Sequence, residues 1–452
     1  MNSAHQFNLS SPEKITAILI AVVFSWLCYF YQIVYPVCCD ALTYMDFAKQ
    51  YVSRGLIVET SGLRLYGYPL FVALNIKLAN LMPVQVGLVL YLVQTGLYLL
   101  GVCLLSKQIA VHFSTAIANV CCYALLANFF VYPYLAISLT DGFSVILLLF
   151  ICYVILKIFS DPFPLSLNRK SALLSIALGF LVGFAIMVRL ANISWLLLLL
   201  PVAVAWSIQC RDGWRFPGGG QILATCIGFA LAVTPQIQLN WDAFGRFTFL
   251  PTRDLGGDQI QWGITYIKYA TSMVNGAAGL VYANPAAHGT SETIAWYFNK
   301  PLAGVNTIFL HVFSAFDFDY LFPYIHNYTP KYRFVLFLFS HFVLFWSVVG
   351  YVLAINSVRY YCEKNSQAKS LQQLLLVLYA CLVLGWLAVH ALSAVENRFS
   401  LPIVAAMLPL AAWALFVKAK HLKFRNWLYG VFGLYLLLAW QLSTFISNLK
   451  IV

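Results

Sequence analysis

Charged residues are scarce in this sequence, and those between its apolar stretches gather in short constellations suited to proton transfer and anion binding. The first reads Tyr35-Pro-Val-Cys-Cys-Asp40-Ala-Leu-Thr-Tyr44-Met-Asp46-Phe-Ala-Lys-Gln-Tyr51-Val-Ser-Arg54-Gly55. Tyr44, Phe47 and Tyr51 follow Asp40 at helical spacing, which predicts an interfacial helix with an aromatic face beneath a carboxylate, stopped by Gly55. Asp46, six positions on, points elsewhere. A carboxylate placed like Asp40 can take the proton of an attacking hydroxyl. Aspartate just before a helix is also a common N-cap. The two roles are compatible, since a capped carboxylate is held rigidly. Tyr44, Arg54, Arg64 and Tyr68 are the candidate substrate contacts of this region.

Four further groups share the pattern. Asp141 stands in Ser138-Leu-Thr140-Asp141-Gly142 at a helix start, where capping and chemistry are again both open. Arg189 is the lone charge between two long apolar runs, either snorkelling to headgroups or binding an anion. The run His390-Ala-Leu-Ser-Ala-Val-Glu396-Asn397-Arg398-Phe399-Ser-Leu-Pro402 puts an acid and a base in one short turn, free to pair or to face a ligand. Asn240-Trp241-Asp242-Ala-Phe244-Gly245 leads into a long polar stretch whose Arg253, Asp254, Asp258, Lys268 and His288 add candidate contacts, Arg253 and Lys268 foremost.

The elements that must position these groups are membrane helices. Of 452 residues, 62% are hydrophobic and 9% charged, against about 25% charged in a soluble chain; the mean hydropathy is +0.81. Apolar runs of about 20 residues recur, each long enough to cross a hydrocarbon core as a helix. Candidate spans are 15–36, 84–106, 113–133, 138–157, 171–189, 191–208, 219–240, 333–357, 371–392, 399–417 and 426–446. This predicts an all-α polytopic bundle of about 11 crossings. It divides into a transmembrane module (1–240) carrying a catalytic loop at 37–82, an outer-face loop region (241–332) and C-terminal transmembrane helices (333–452). The first run is too long for a signal-peptide core and reads as a retained span. The segment 67–82, with Lys77, is too short and polar to span and belongs at the interface.

Basic residues give the orientation. With the N-terminus inside, cytoplasmic loops hold Lys107, Arg169, Lys170, Arg211, Arg215, Arg359, Lys364, Lys369, Lys418, Lys420, Lys423 and Arg425. The short outer connections hold only Arg189 and Arg398, as the positive-inside rule requires. The net charge of +12 follows from this bias. Nucleic acid is excluded as a partner, because no basic stripe with interleaved aromatics exists. The eleven cysteines form no disulfide framework or zinc spacing, and the Cys38-Cys39 adjacency reads as incidental. Only His341 and His390 fall well within spans, whereas transporters usually carry ionisable groups near the midplane. No Gly-rich phosphate loop is present, so no nucleotide cofactor is expected.

In order, the chain has a first span, an outer Asp-x-x-x-Tyr helix, a Gly-Tyr-Pro-Leu-Phe start and a Thr-Asp helix start. A lone Arg between spans, an Asn-x-x-x-Phe-Gly exit and a Glu-x-Arg-Phe-x-x-Pro turn follow. Over roughly residues 15–410 this resembles integral-membrane glycosyltransferases of the GT-C class, and within it the protein O-mannosyltransferase and aminoarabinose lipid A transferase family. It departs from that family in having one Asp, not an Asp-Glu pair, in the first loop. It also has no sizeable soluble domain after the last span.

The resemblance implies that Asp40 is the catalytic carboxylate and Asp141 a second acidic position near the acceptor or a metal. A divalent ion, Mg or Mn, shared by Asp40 and Asp141 is the cofactor to test. Arg189 and Arg398 would face the phosphate of a polyprenyl-phosphate-linked sugar donor, with Glu396 the acidic partner in the late turn. The acceptor would be a lipid, glycan or protein, and membrane lipids would surround the whole. A multi-pass protein of a bacterial inner (plasma) membrane, with its active site outside, is the expected setting. Two alternatives stay open: an O-antigen polymerase or ligase using a polyprenyl diphosphate, and a lipid or solute transporter.

Overall fold

Apolar runs become helices throughout. The computed structural model describes residues 11–34, 39–56, 62–159, 168–208, 219–265, 267–268, 290–321, 332–360, 366–393, 395–418 and 425–448. His288, Cys38 and loop residues Arg211, Arg215, Lys364, Lys420 and Lys423 lie outside them. The chain begins with α1 (Pro12–Val34), α2 (Asp40–Arg54), α3 (Gly67–Leu81), α4 (Val86–His112) and α5 (Thr115–Leu126). A single turn, α6 (Tyr132–Leu135), precedes α7 (Thr140–Ile158) and α8 (Arg169–Val188). A 3-10 stretch (Leu190–Leu198) runs into α9 (Leu199–Ile208), then α10 (Gly219–Phe244). The region 241–332 holds α11 (Leu255–Thr265), α12 (Thr290–Asn299) and the apolar α13 (Pro301–Phe316), which the sequence reading had as loop. Last come α14 (Arg333–Tyr360), α15 (Ser366–His390), α16 (Leu401–Trp413) and α17 (Arg425–Asn448).

Among the described residues nine helices are long and apolar enough to cross a membrane, so this is an integral, multi-pass membrane protein. Two of the eleven expected spans differ in form. In 113–133 only the 12 residues of α5 are continuous helix, about 18 Å at 1.5 Å per residue. The chain nevertheless regains the end where α2 starts, because Ser138 Oγ donates to the Ala41 carbonyl at 2.8 Å. The stretch 191–208 opens as nine 3-10 residues followed by ten α-helical ones. The looser 3-10 rise makes that combination about 33 Å long, comparable to the hydrocarbon core.

Small residues let two spans approach closely. A methyl at Gly179 would lie 1.9 Å from the Thr225 carbonyl oxygen, and one at Gly228 2.0 Å from that of Ile176. Gly179 and Gly183 on α8 thus meet Gly228 and Ala232 on α10 as paired small-xxx-small faces, the usual route to tight helix contact where lipid supplies no hydrophobic drive. One apolar core runs from Ala21 to Leu408 and ties early and late spans together.

Candidate active site

Five segments converge at one end of the bundle. Asp40 is the first residue of α2, and the position before it is Cys39, in the left-handed region at φ 65°. The predicted N-cap is therefore displaced by one residue. Cys39 is disulfide-bonded, although the cysteine spacing offers no disulfide framework. Asp40 turns its carboxylate on two arginines, with Arg64 Nη2 at 2.5 Å from Oδ1 and Arg398 Nη2 at 3.2 Å from Oδ2.

Each arginine is held by its own scaffold. The 62–66 loop is clasped from α10 and the segment after it. Gly62 O accepts from the backbone N–H groups of Thr252 and Arg253, and Tyr66 N–H donates to Gln236 Oε1 at 2.9 Å. Arg64 then lies over the Tyr44 ring, 5.0 Å from its centroid, and donates to its hydroxyl at 3.2 Å. Arg189 caps α8 in extended conformation, and Asn192 fixes the following turn by donating to the Ala185 carbonyl and Ser144 Oγ. Arg398 sits in a 3-10 turn (Asn397–Ser400) pinned to the end of α13. There the Asn397 amide donates to Asp317 O at 2.8 Å, and Ser400 Oγ donates to Ala315 O at 2.6 Å.

Asp141, its side chain fully buried, accepts a direct hydrogen bond from Arg189 and faces Arg398 Nη1 at 3.6 Å. Glu396 accepts from Arg398 Nε. Arg398 therefore touches three carboxylates, two of them from other segments. Burial pushes the Glu396 carboxyl above the usual carboxylate range despite the opposing pull of Arg398. Phe399 lies under both cations, 4.6 Å from Arg189 and 5.3 Å from Arg398. His390 stacks on Phe399, 5.4 Å between ring centroids, and lines a small chamber with Asp141, Ser144, Arg189 and Asn192 as well as Trp195 and Trp386.

Tyr44 and Tyr68 do not play equal parts. Tyr68 is completely buried, edge-on to Tyr44 at 5.1 Å, with Phe71 and Phe143 stacked beyond. It is the floor under Tyr44, and no substrate reaches it in this arrangement. Three expected contacts are not brought to the cluster. Arg54 is exposed in the last turn of α2, about 21 Å along the helix from Asp40 at 1.5 Å per residue. Arg253 lends its backbone to Gly62 while its side chain is exposed. Lys268 is buried, bonded to the Asp317 carbonyl at 2.5 Å and paired with Asp319 at 3.2 Å, while its backbone bridges Val395. Asn192 and Ser144 escaped the sequence reading, since nothing in residue type marks them, and Asn397 and Phe399 stood in its late-turn motif without a role.

A shared metal does not fit Asp40 and Asp141 as they are placed. Arg398 stands between them with one nitrogen toward each. Among the described residues no group of three or more His, Cys, Asp or Glu is arranged to hold a metal ion.

No family model matches the chain, and no curated protein sequence matches it. Solved structures do. The apo oligosaccharyltransferase of Archaeoglobus fulgidus superimposes with a TM-score of 0.53 at 11% identity, over 96% of this chain and 55% of that one. The same organism's AglB, in complex with an inhibitory peptide and a dolichol-phosphate, gives 0.53 at 12% identity over 97% and 55%. The chain is an all-α polytopic membrane protein similar in fold to these structures. At this identity the likeness is one of fold, and the chain spans about half the length of the proteins it matches.

Proposed function

We propose that this chain transfers a sugar from a polyprenyl-phosphate-linked donor to an acceptor hydroxyl, with inversion, at the non-cytoplasmic face of the membrane. The observation carrying this reading is the contact of Asp40 with Arg398, 3.2 Å apart at one end of a membrane bundle. It puts a proton acceptor beside a guanidinium suited to phosphate oxygens. The donor's phosphate would engage Arg398 and loosen its hold on Asp40. Asp40 would take the acceptor's hydroxyl proton as that oxygen attacks the anomeric carbon. The sugar–phosphate C–O bond would break with its electron pair going to the phosphate oxygen, where Arg398 and Arg189 meet the developing charge.

Two further features support the reading. An apolar cavity of about 360 Å³ lies between α4, α5, α7, α14, α15 and α16. On α7 its lining begins at Leu148, seven residues past Asp141, so about 10 Å beneath the charge cluster. That is where a hydrocarbon tail hanging from a bound phosphate would lie. One structure of similar fold holds a dolichol-phosphate, a phosphate on a polyprenyl-type lipid.

The test is consumption of labelled polyprenyl-phosphate sugars, as a panel, by purified protein in detergent with mixed envelope acceptors. Release of polyprenyl phosphate from at least one donor is expected. A panel left intact, in preparations that bind the lipid, would remove the transferase reading.

A further inference from the structure

We propose that binding of the anionic donor at this cluster takes up one proton, and that Glu396 receives it. The inference rests on the donor reading above. The contacts join three carboxylates, Asp40, Asp141 and Glu396, to three guanidiniums, Arg64, Arg189 and Arg398. That set is formally neutral. A polyprenyl phosphate sugar is a phosphodiester and adds one negative charge to a site mostly shielded from water.

Arg398 is the cation that such a phosphate would share or capture, since it alone touches all three acids. Asp40 would keep Arg64 at 2.5 Å, and Asp141 would keep Arg189. Glu396 has its ion pair with Arg398, on its own turn. The groups that act on it from other elements include Asp40 on α2, Asp141 on α7, Tyr134 on α6 and Tyr320 beyond α13. None is a cation. Losing Arg398 to a phosphate therefore leaves a buried carboxylate among like charges, and the lowest-cost response is protonation. A protonated Glu396 also has somewhere to turn. The hydroxyls of Tyr134 and Tyr320 are buried without a hydrogen-bond partner among the described residues.

The sign follows from linkage. Glu396 binds its proton more tightly in the complex, so donor affinity is complete at low pH and is lost as pH rises through the bound-state pKa. The loss approaches tenfold per pH unit, the limit for one proton.

The experiment uses farnesyl methyl phosphate, a prenyl phosphodiester whose single charge is constant over the range, with the full chain in detergent. Its Kd is measured at steps between about pH 5 and pH 8, and binding heats are compared in two buffers of different ionisation enthalpy. The wild type should weaken with pH and take up close to one proton. Glu396→Gln, neutral at every pH, should bind with a flat profile and as tightly at high pH as the wild type does at low pH. Asp46→Asn, outside the cluster, should keep the wild-type slope. Binding with no pH dependence and no proton uptake would overturn the inference and leave the donor reading standing. A slope kept in Glu396→Gln would place the proton on another group and overturn the assignment. No binding at any pH would overturn both readings. Should Glu396→Gln not fold, uptake is still read on the wild type, where its absence overturns the inference.

Discussion

At the scale of single residues, Asp40 is the group on which the transferase reading turns. Because Cys39 holds the cap position, Asp40→Asn leaves the start of α2 little changed and removes a charge facing Arg64 and Arg398. The variant should fold and should bind donor at least as well, since both guanidiniums are freed for phosphate. Turnover should fall by about 10²–10⁴-fold, the usual worth of general-base assistance. Asp46→Asn is the control. Asp46 pairs with exposed Lys49 at 3.3 Å, and such surface pairs are worth about 0–1 kcal/mol. Turnover and donor affinity measured on both variants decide the matter: normal turnover in Asp40→Asn, or equal loss in both, removes Asp40 as the base. Arg398 asks for a gentler change. Alanine would leave Glu396 and Asp141 buried near each other without the shared cation, which costs stability by itself. Arg398→Lys keeps the charge but loses the planar fork. It should cut kcat by tenfold or more, read beside thermal stability in detergent, whereas unchanged turnover would make the turn purely structural.

At the scale of elements, the contact of α8 with α10 is the most sharply testable. Gly179→Ala drives a methyl against the Thr225 carbonyl, a backbone atom unable to swing aside, so the helices must separate. Overpacking of this kind typically costs about 1–3 kcal/mol. Gly96→Ala in α4 meets nothing within 4 Å and should be neutral or slightly stabilising, as alanine is the better helix former. Heating in detergent followed by size-exclusion of the surviving protein separates the two. An equal midpoint for both would refute the close-packing argument. The same elements show what the sequence could and could not reveal. Nine spans were legible because twenty apolar residues in a row have few other fates. The 3-10 start after Arg189 was not, because it depends on the Asn192 amide reaching Ala185 and Ser144 in three dimensions. Arg54 and Arg64 look alike in a loop read as text, yet a helix carries one away while Gly62 and Tyr66 tie the other to Asp40. Lys268 looked like a free contact until Asp317 and Asp319 came into place beside it.

At the scale of the whole molecule, everything rests on which side of the membrane the cluster faces. The two arginines of the short connections at that end, Arg189 and Arg398, are both neutralised by buried carboxylates. At the opposite end Arg169 and Lys170 stand exposed at the start of α8. Exposed basic residues in short loops favour the cytoplasmic side, so the cluster should face away from it. Lys49 and Lys170 test this directly, since both are exposed and they flank α4, α5 and α7. The chain is back at the Asp40 end before α7 begins, as the Ser138–Ala41 bond requires, so Lys49 and Lys170 must lie on opposite sides. Single cysteines at these positions, in a background with the native cysteines replaced, are treated with an impermeant maleimide in right-side-out and inverted vesicles. Lys49→Cys should label in the first and Lys170→Cys in the second. The reverse pattern would put the cluster in the cytoplasm and end the case for a donor met on the far side. Labelling of both in one preparation would mean that α5 and its buried return do not carry the chain back across, and would contradict the fold itself.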